Sequence, residues 1–479
     1  MKKKIIVLIY MNLAFFLSGC ALYTAPKEVA VKIPNKFKYS VKTQRYFIKN
    51  DWWKNFKDKE LNILVGKALK DNLNYLIAVK NIQVARTYVS QNESNLFPII
   101  NFSYNGSRNK LPAYGTGTVQ KGASSSSTSI YNLNQAGFSA SYELDVWHQI
   151  SNTINQAKSN VAVSREDADV IKLTLISNVA QSYFQIIALN AETKNLRKQY
   201  LAEKEILKLN LVQYKDGLVS AEPVENAKIS LEALKTYLNN SIKLKDITQN
   251  TLAYYLGKFP EKFKIETKKN HLYNNFQDIN YINLIPPNIP SDILTQRPDV
   301  KEAGYNVLSY AYAKKISLAN FFPTFSLTGE YGYASPSLGN FITDANSVWN
   351  FGLNILAPIF NYKENISIYK RSQLQYKQAV LNYRNTIINA FSETDSALAS
   401  YKRDFKTLNS YKSNVIYSSK LFHIYSVQYI AGITNRITYL TYKLNLLNAK
   451  YNLINQNLLL QEDVINIYNT LGMGLKQNA

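Results

Sequence analysis

The chain is short of the residues on which most compact chemical sites depend. Among its 479 residues are one cysteine, Cys20, and three histidines, His148, His271 and His423. A single cysteine excludes an intrachain disulfide framework and a cysteine-based zinc site. The histidines lie too far apart in sequence to suggest a local ligand motif. Acids are scarce as well: 33 Asp and Glu stand against 56 Lys and Arg, a formal charge of +23. The cations are scattered lysines with no recognisable nucleic-acid motif around them, so no nucleic-acid partner is expected. Neither a Gly-rich phosphate loop, a Gly-x-Ser-x-Gly elbow nor a His-Glu-x-x-His sequence is present, and an enzyme would have no catalytic or metal set to stand on. At 46% hydrophobic and 19% charged the chain can bury a core, and its length allows two or three domains of ~150 residues.

What is present begins with a sorting signal. Met1-Lys2-Lys3-Lys4, an apolar run from Ile5 to Leu17 and the small residues before Cys20 read as a signal peptide over residues 1–19. The run is shorter than the ~20 residues of a transmembrane helix. Leu17-Ser18-Gly19-Cys20 resembles a bacterial lipobox. That resemblance implies cleavage before Cys20 and a covalent lipid on its thiol, the one non-protein group expected. Ala21 follows in place of the aspartate that marks inner-membrane retention, so outer-membrane sorting is the expectation. Loss of Lys2, Lys3 and Lys4 lowers the charge from +23 to +20.

The rest of the sequence is written twice. Val212-Gln213-Tyr214-Lys215-Asp216-Gly217 matches Val427-Gln428-Tyr429-Ile430-Ala431-Gly432 at an offset of 215, and Leu256-Gly257 matches Leu471-Gly472 at the same offset. Asn95-Leu96-Phe97-Pro98 matches Asn320-Phe321-Phe322-Pro323 at an offset of 225. The expected organisation is a lipidated extended segment over 20–60, a first repeat over 61–257, a Pro-rich connector over 258–294, a second repeat over 295–472 and a tail over 473–479.

Each repeat should open with a helix, roughly Leu61 to Ser94 and Pro298 to Asn320, stopped at the Phe-Pro pair because proline removes a donor and disfavours helix before it. Period-two alternation follows. Ile100, Phe102 and Tyr104, then Phe138, Ala140, Tyr142 and Leu144, alternate with polar residues in the first repeat. Phe325, Leu327, Tyr331 and Tyr333, then Trp349, Phe351, Leu353 and Ile355, do so in the second. These are four strands of ~10 residues, the length that spans a bilayer when tilted. A soluble four-stranded sheet fits the same pattern. An open sheet has two free edges and single-chain barrels need about eight strands, so the membrane reading requires several copies.

No Gly or Pro occurs from Phe138 to Asp216 or from Ile359 to Ala431. Helices of ~65 residues in these stretches would reach ~100 Å. Leu440, Leu447 and Ile454, with Leu444, Tyr451, Leu458 and Ile465, mark heptad positions in the last segment, and Tyr439, Leu446, Leu453, Leu460 and Ile467 form a second stripe. Two seams predict a helix packed between two neighbours. Gly217 and Gly432 supply the reversals, and Pro223 falls in the first turn of the helix that follows.

These residues together resemble the TolC-type outer membrane factors. Asp51-Trp52-Trp53, Phe56, Asp58, Arg297-Pro298-Asp299, the two Phe-Pro pairs and the Tyr-x-x-Gly turns carry the likeness, which is nearest to the NodT-like lipoproteins of tripartite efflux systems. The resemblance implies an α+β membrane protein: a homotrimer with four strands per chain closing one outer-membrane β-barrel, continued by an α-helical periplasmic barrel. It implies passive conduction, with a periplasmic adaptor and an inner-membrane RND transporter as partners and outer-membrane lipid around the barrel. A type I secretion duct is the runner-up, and a structural coiled-coil lipoprotein the more distant one.

The resemblance also implies an aperture beside the two helical turns, Gly217 and Gly432. Tyr429 matches the family's Tyr position. Pro223 and Thr438 stand where the family often has Asp, and Thr434 stands where an Arg is common, so the usual pairs are missing. Arg436, Glu222 and Glu225 are the charges near enough in sequence to replace them.

Overall fold

The computed structural model describes residues 31, 33–39, 51–111, 129–263, 265 and 291–474. The signal peptide, Cys20, the polar segment with Ser124 to Ser127 and Gly115, Gly117 and Gly122, His271, most of the connector with Pro286, Pro287 and Pro290, and the end of the tail lie outside the described residues. Two compact units are present.

The strand unit comprises Gln83–Val163 and Gly304–Asn382. It holds β1 (Ile99–Leu111), β2 (Ser129–Leu144), β3 (Thr324–Ser335) and β4 (Ser347–Leu356) in one antiparallel sheet of order β1-β2-β3-β4. The alternation seen in the sequence becomes the two faces of this sheet, because successive side chains point to opposite sides. Trp349, Phe351, Leu353 and Ile355 share one face of β4 and are all exposed, Trp349 to 76%. Phe102 pairs with Phe138 across β1 and β2, with ring centroids 5.2 Å apart. Gly137 faces Gly332 between β2 and β3, and a side chain at either would strike the opposite backbone. A broad apolar face uncovered by protein is what a lipid-facing sheet presents. Among the described residues no helix is long and apolar enough to cross a membrane.

At the end of the sheet the chain turns back into helices through polar contacts. Asp145 accepts hydrogen bonds from the backbone N–H groups of Ile150 and Ser151, both at 2.8 Å. That caps the long helix that begins at Gln149. The Trp147 indole donates to the Pro323 carbonyl at 2.7 Å and stacks on Phe322. The second Phe-Pro pair thus ends one helix and also seats the start of another.

The helical unit comprises Ala30–Ile82, Ser164–Ala303 and Tyr383–Ala479. The helices of the chain are α1 (Lys59–Asp71), α2 (Leu73–Glu93), α3 (Gln149–Lys215), α4 (Ala221–Tyr255), α5 (Pro298–Ala319), α6 (Tyr362–Ile430) and α7 (Arg436–Thr470). The first helix of the first repeat, expected as one piece, is two. Asn72 breaks it by taking an extended conformation (ψ 120°), with its N–H still bonded to the Ala68 carbonyl. Its buried side chain accepts from the Tyr75 N–H and donates to the Tyr255 carbonyl at 3.0 Å each. One asparagine therefore ends α1, starts α2 and ties both to the end of α4.

The core of this unit gathers residues from every one of its segments. Trp52 is buried and stacks on Tyr468 at 5.0 Å, with Phe56 edge-on to it. Leu61, Leu64 and Val65 of α1 meet Ile176, Val179 and Ala180 of α3, Leu252 of α4 and Val464 and Ile465 of α7 in the same cluster. Asp58 caps α1 through the N–H groups of Glu60 and Leu61, and its other oxygen accepts from the Tyr183 hydroxyl at 2.9 Å. Burial, with the Asp58 carboxylate beside it, holds the Tyr183 hydroxyl well above the ordinary phenol range. Arg297 is also buried, donating to Asp299 and Glu393 and to the Thr470 carbonyl at the end of α7. Along α7, Leu440, Leu447 and Ile454 of the first seam and Leu446, Leu453 and Leu460 of the second are buried, while Leu444, Tyr451 and Leu458 of the first and Tyr439 of the second are half-buried. Gln461, one heptad after Ile454, is buried too, and its amide has no hydrogen-bond partner among the described residues.

Candidate functional site

The two turns anticipated at glycines are the same motif. Gly217 has φ +69° and Gly432 φ +74°. Leu218 N–H donates to the Gln213 carbonyl and Gly217 N–H to that of Tyr214; Ile433 and Gly432 repeat this with Gln428 and Tyr429. These bonds satisfy carbonyls that a helix end leaves open, and the left-handed residue they require is cheapest as glycine. After the first turn, α4 starts at Ala221 with Pro223 in its first turn. The Asn210 amide of α3 donates to the Pro223 carbonyl at 3.1 Å. After the second turn, Asn435 caps α7 by accepting from Thr438 N–H at 2.8 Å.

Arg436 opens α7 and is the centre of the charged contacts here. Its guanidinium lies beside a stacked aromatic pair, 5.2 Å from the Tyr429 ring centroid and 4.9 Å from that of Tyr439. The two rings are themselves 5.0 Å apart. A guanidinium over aromatic faces is attracted to their quadrupoles. Its Nε donates to Glu205 Oε1 of α3 at 2.8 Å. That bond holds the Glu205 carboxyl below the usual carboxylate range and raises Arg436 further. A second tyrosine pair, Tyr425 and Tyr442, stacks at 3.6 Å between α6 and α7.

Of the residues singled out in the sequence, Tyr429 and Arg436 come together. Glu222 and Glu225 do not join them. Glu222 is exposed in the first turn of α4, and Glu225 pairs with Lys228 of its own helix at 2.8 Å. The carboxylate that reaches Arg436 is Glu205, 231 residues away in sequence. It was hidden because neighbours between hairpins cannot be counted from either turn alone. Tyr439 was visible only as part of an apolar stripe.

The site can hold two helices together and let them part. Both members of the ion pair keep more than a third of their surface exposed, and exposed pairs contribute only about 0–1 kcal/mol. Among the described residues no group of His, Cys, Asp and Glu is placed to hold a metal ion.

Comparison with known proteins agrees with this architecture. The model of the outer membrane efflux protein family matches residues 64–258 and 289–473. The antibiotic efflux pump outer membrane protein ArpC of Pseudomonas putida is 27% identical over 469 residues, covering 96% of this chain and 94% of its own. Toxin and drug export protein A of Aggregatibacter actinomycetemcomitans is 28% identical over 456 residues, with coverages of 91% and 93%. The cation efflux system protein CusC of Escherichia coli is 24% identical over 477 residues, with coverages of 97% and 98%. The solved outer membrane channel CmeC of Campylobacter jejuni aligns with a TM-score of 0.81 at 24% identity, covering 96% of both chains. The sheet with its uncovered apolar face, the doubled helical hairpin and the match over both repeats identify the chain as a member of the outer membrane efflux protein family, a non-enzymatic outer-membrane channel that extends into the periplasm.

Proposed function

We propose that the protein is the exit channel of a tripartite, RND-type efflux system, working as a homotrimer and conducting small substrates handed over by a periplasmic adaptor and an inner-membrane transporter. The observation that carries this reading is the four-stranded sheet. Among the described residues β1 pairs only with β2 and β4 only with β3, so a closed barrel requires more chains, and three chains give twelve strands, an even number within the range of outer-membrane barrels. The names of ArpC and CusC, an antibiotic and a cation efflux component, support export of small solutes. A lipid on Cys20 anchors the mature chain, and Gly217 and Gly432 present the turns that an adaptor meets. Tyr429, Arg436 and Glu205 form the tie that keeps the aperture narrow; Glu222 and Glu225 lie outside it.

The test joins native mass spectrometry to planar-bilayer recording and to drug susceptibility in an efflux-deficient host that carries the neighbouring pump and adaptor genes. Trimers, discrete conductance steps and restored resistance are expected. A monomer without conductance would overturn the reading. Incorporation of labelled palmitate, lost in Cys20→Ala, checks the anchor. The name of the Aggregatibacter relative, which includes toxin export, favours a second reading as a type I secretion duct. Loss of a secreted protein with unchanged drug susceptibility on gene deletion would select it.

A further inference from the structure

The two hairpins share their turns and differ in charge. From Phe405 to Gln461 the sequence contains no Asp or Glu, while Lys406, Lys412, Lys420, Arg436, Lys443 and Lys450 are all present. The beginning of α4 is the opposite: Glu222, Glu225 and Glu232 stand against one lysine, Lys228, between Ala221 and Glu232. Within the chain the hairpins meet through α3 and α7. Glu205 bonds Arg436, and Ala202 and Ile206 of α3 pack with Ala227 of α4 and Leu440 of α7.

That leaves α4 and α6 each with an outer stripe that none of the described residues covers. On α4, Glu225, Ile229 and Glu232 follow at i, i+4 and i+7 and are exposed, Ile229 to 69%. On α6, Ile416, Lys420, His423 and Val427 follow at i, i+4, i+7 and i+11 and are exposed as well. Such spacings lie on one helix face. On α4 one apolar residue separates two acids and on α6 two apolar residues flank Lys420 and His423, so the charges of the two stripes differ in sign.

Like stripes repel and unlike stripes attract, so the complementary contact joins α4 of one copy to α6 of the next. A contact between different patches is heterologous, and a rotation that closes makes of it a ring. We propose that the seam between protomers is this charge-matched contact, with Glu225 and Glu232 of one chain against Lys420 of its neighbour and the neighbour's His423 beside it. The proposal rests on the homotrimeric reading above and adds the residues that join the copies.

The register agrees. Glu225 and Glu232 lie about two and about four helical turns beyond Gly217. His423 and Lys420 lie between about two and about four turns before Gly432, inside the span of the two acids. The tips lie at similar levels, since Ala227, a few turns beyond Gly217, shares a cluster with Leu440, a similar distance beyond Gly432. Glu225 also bonds Lys228 and Glu232 bonds Lys235. These are exposed contacts within one helix, weak enough for each carboxylate to take a second cation. The seam within a protomer is thus a specific hydrogen-bonded tie, and the seam between protomers is a charged stripe that salt screens.

The experiment uses the full-length protein in detergent. In Glu225→Cys/Lys420→Cys, mild oxidation is expected to give covalent dimers and trimers on a non-reducing gel, with neither single variant doing so. Lys420→Glu is expected to lower the temperature at which the trimer dissociates, and addition of Glu225→Lys and Glu232→Lys to restore it. A trimer by native mass spectrometry that yields no intermolecular cross-link and no rescue overturns the proposal while leaving the trimer standing. A monomer in the unsubstituted protein overturns both.

Discussion

At its tip and at its base, each hairpin is closed by the same turn set in different surroundings. The tip glycines, Gly217 and Gly432, and the base glycines, Gly257 and Gly472, all have φ between +64° and +74°. Around each, the same two backbone hydrogen bonds close the helix. A Cβ at either tip glycine would meet nothing within 4 Å among the described residues, whereas at Gly257 it would overlap the Asp71 carbonyl oxygen, and at Gly472 it would lie 3.2 Å from Arg297 Cα. The base turns are wedged into the core that holds Trp52, Tyr183 and Tyr468. The tips are fastened by half-buried tyrosines and one half-exposed ion pair. Low local stability is what a moving element needs, and here it is confined to the end that an aperture would use.

The sharpest way to break this contrast is Gly257→Ala. The left-handed backbone alone costs ~1–2 kcal/mol and the backbone overlap adds more, so a total of about 3 kcal/mol or above is expected, with folded yield and thermal unfolding in detergent as readouts. An equal loss for Gly432→Ala would erase the distinction.

Arg297→Met comes next. It leaves the Thr470 carbonyl with only the Thr394 hydroxyl as donor and removes the ties from the start of α5 to α6 and α7. Arg297 is buried but Asp299 and Glu393 keep 34% and 55% of their side chains exposed, so the loss should be about 2 kcal/mol, seen as a lower denaturation midpoint with unchanged slope.

Gly432→Ala is the smaller counterpart, at about 1 kcal/mol, because only the backbone conformation opposes it. Adaptor capture by a tagged trimer should fall further when the same position is changed to proline, while the trimer band persists.

The mildest test is a pH series. Burial, with Asp404 and Glu462 beside it, pushes the Asp463 carboxyl up to about 7. The folded protein therefore keeps a proton that the unfolded chain releases near pH ~4. The stabilisation is complete below that value and is lost as pH rises through the folded pKa. The unfolding temperature should fall by a few degrees from about pH 5 to about pH 8, and Asp463→Asn should flatten the profile.

Much of the fold was legible in the sequence, and the reasons are local. Period-two alternation in Trp349, Phe351, Leu353 and Ile355 fixes a strand with one apolar face, because side-chain direction follows from backbone pleat. The long stretches without Gly or Pro became α3 and α6, and the glycines at a fixed offset became four like turns. The break at Asn72 was not legible, since leucine-rich helix continues on both sides of it. The decisive partner is the Tyr255 carbonyl, which a side chain 183 residues away must reach. In the candidate site, Tyr429 and Arg436 could be named by their distance from Gly432, but Glu205 could not. It looks like any charged residue on α3 until α7 lies against it.

The sequence by itself determined the elements, their doubling and where each reverses, because those depend on side-chain periodicity and on the conformations open to glycine and proline. Tertiary structure decided which carboxylate meets Arg436, which of four identical turns tolerate a side chain and which helix stripes remain uncovered. Those outcomes depend on distances between segments far apart in the chain, and local propensity carries no information about them.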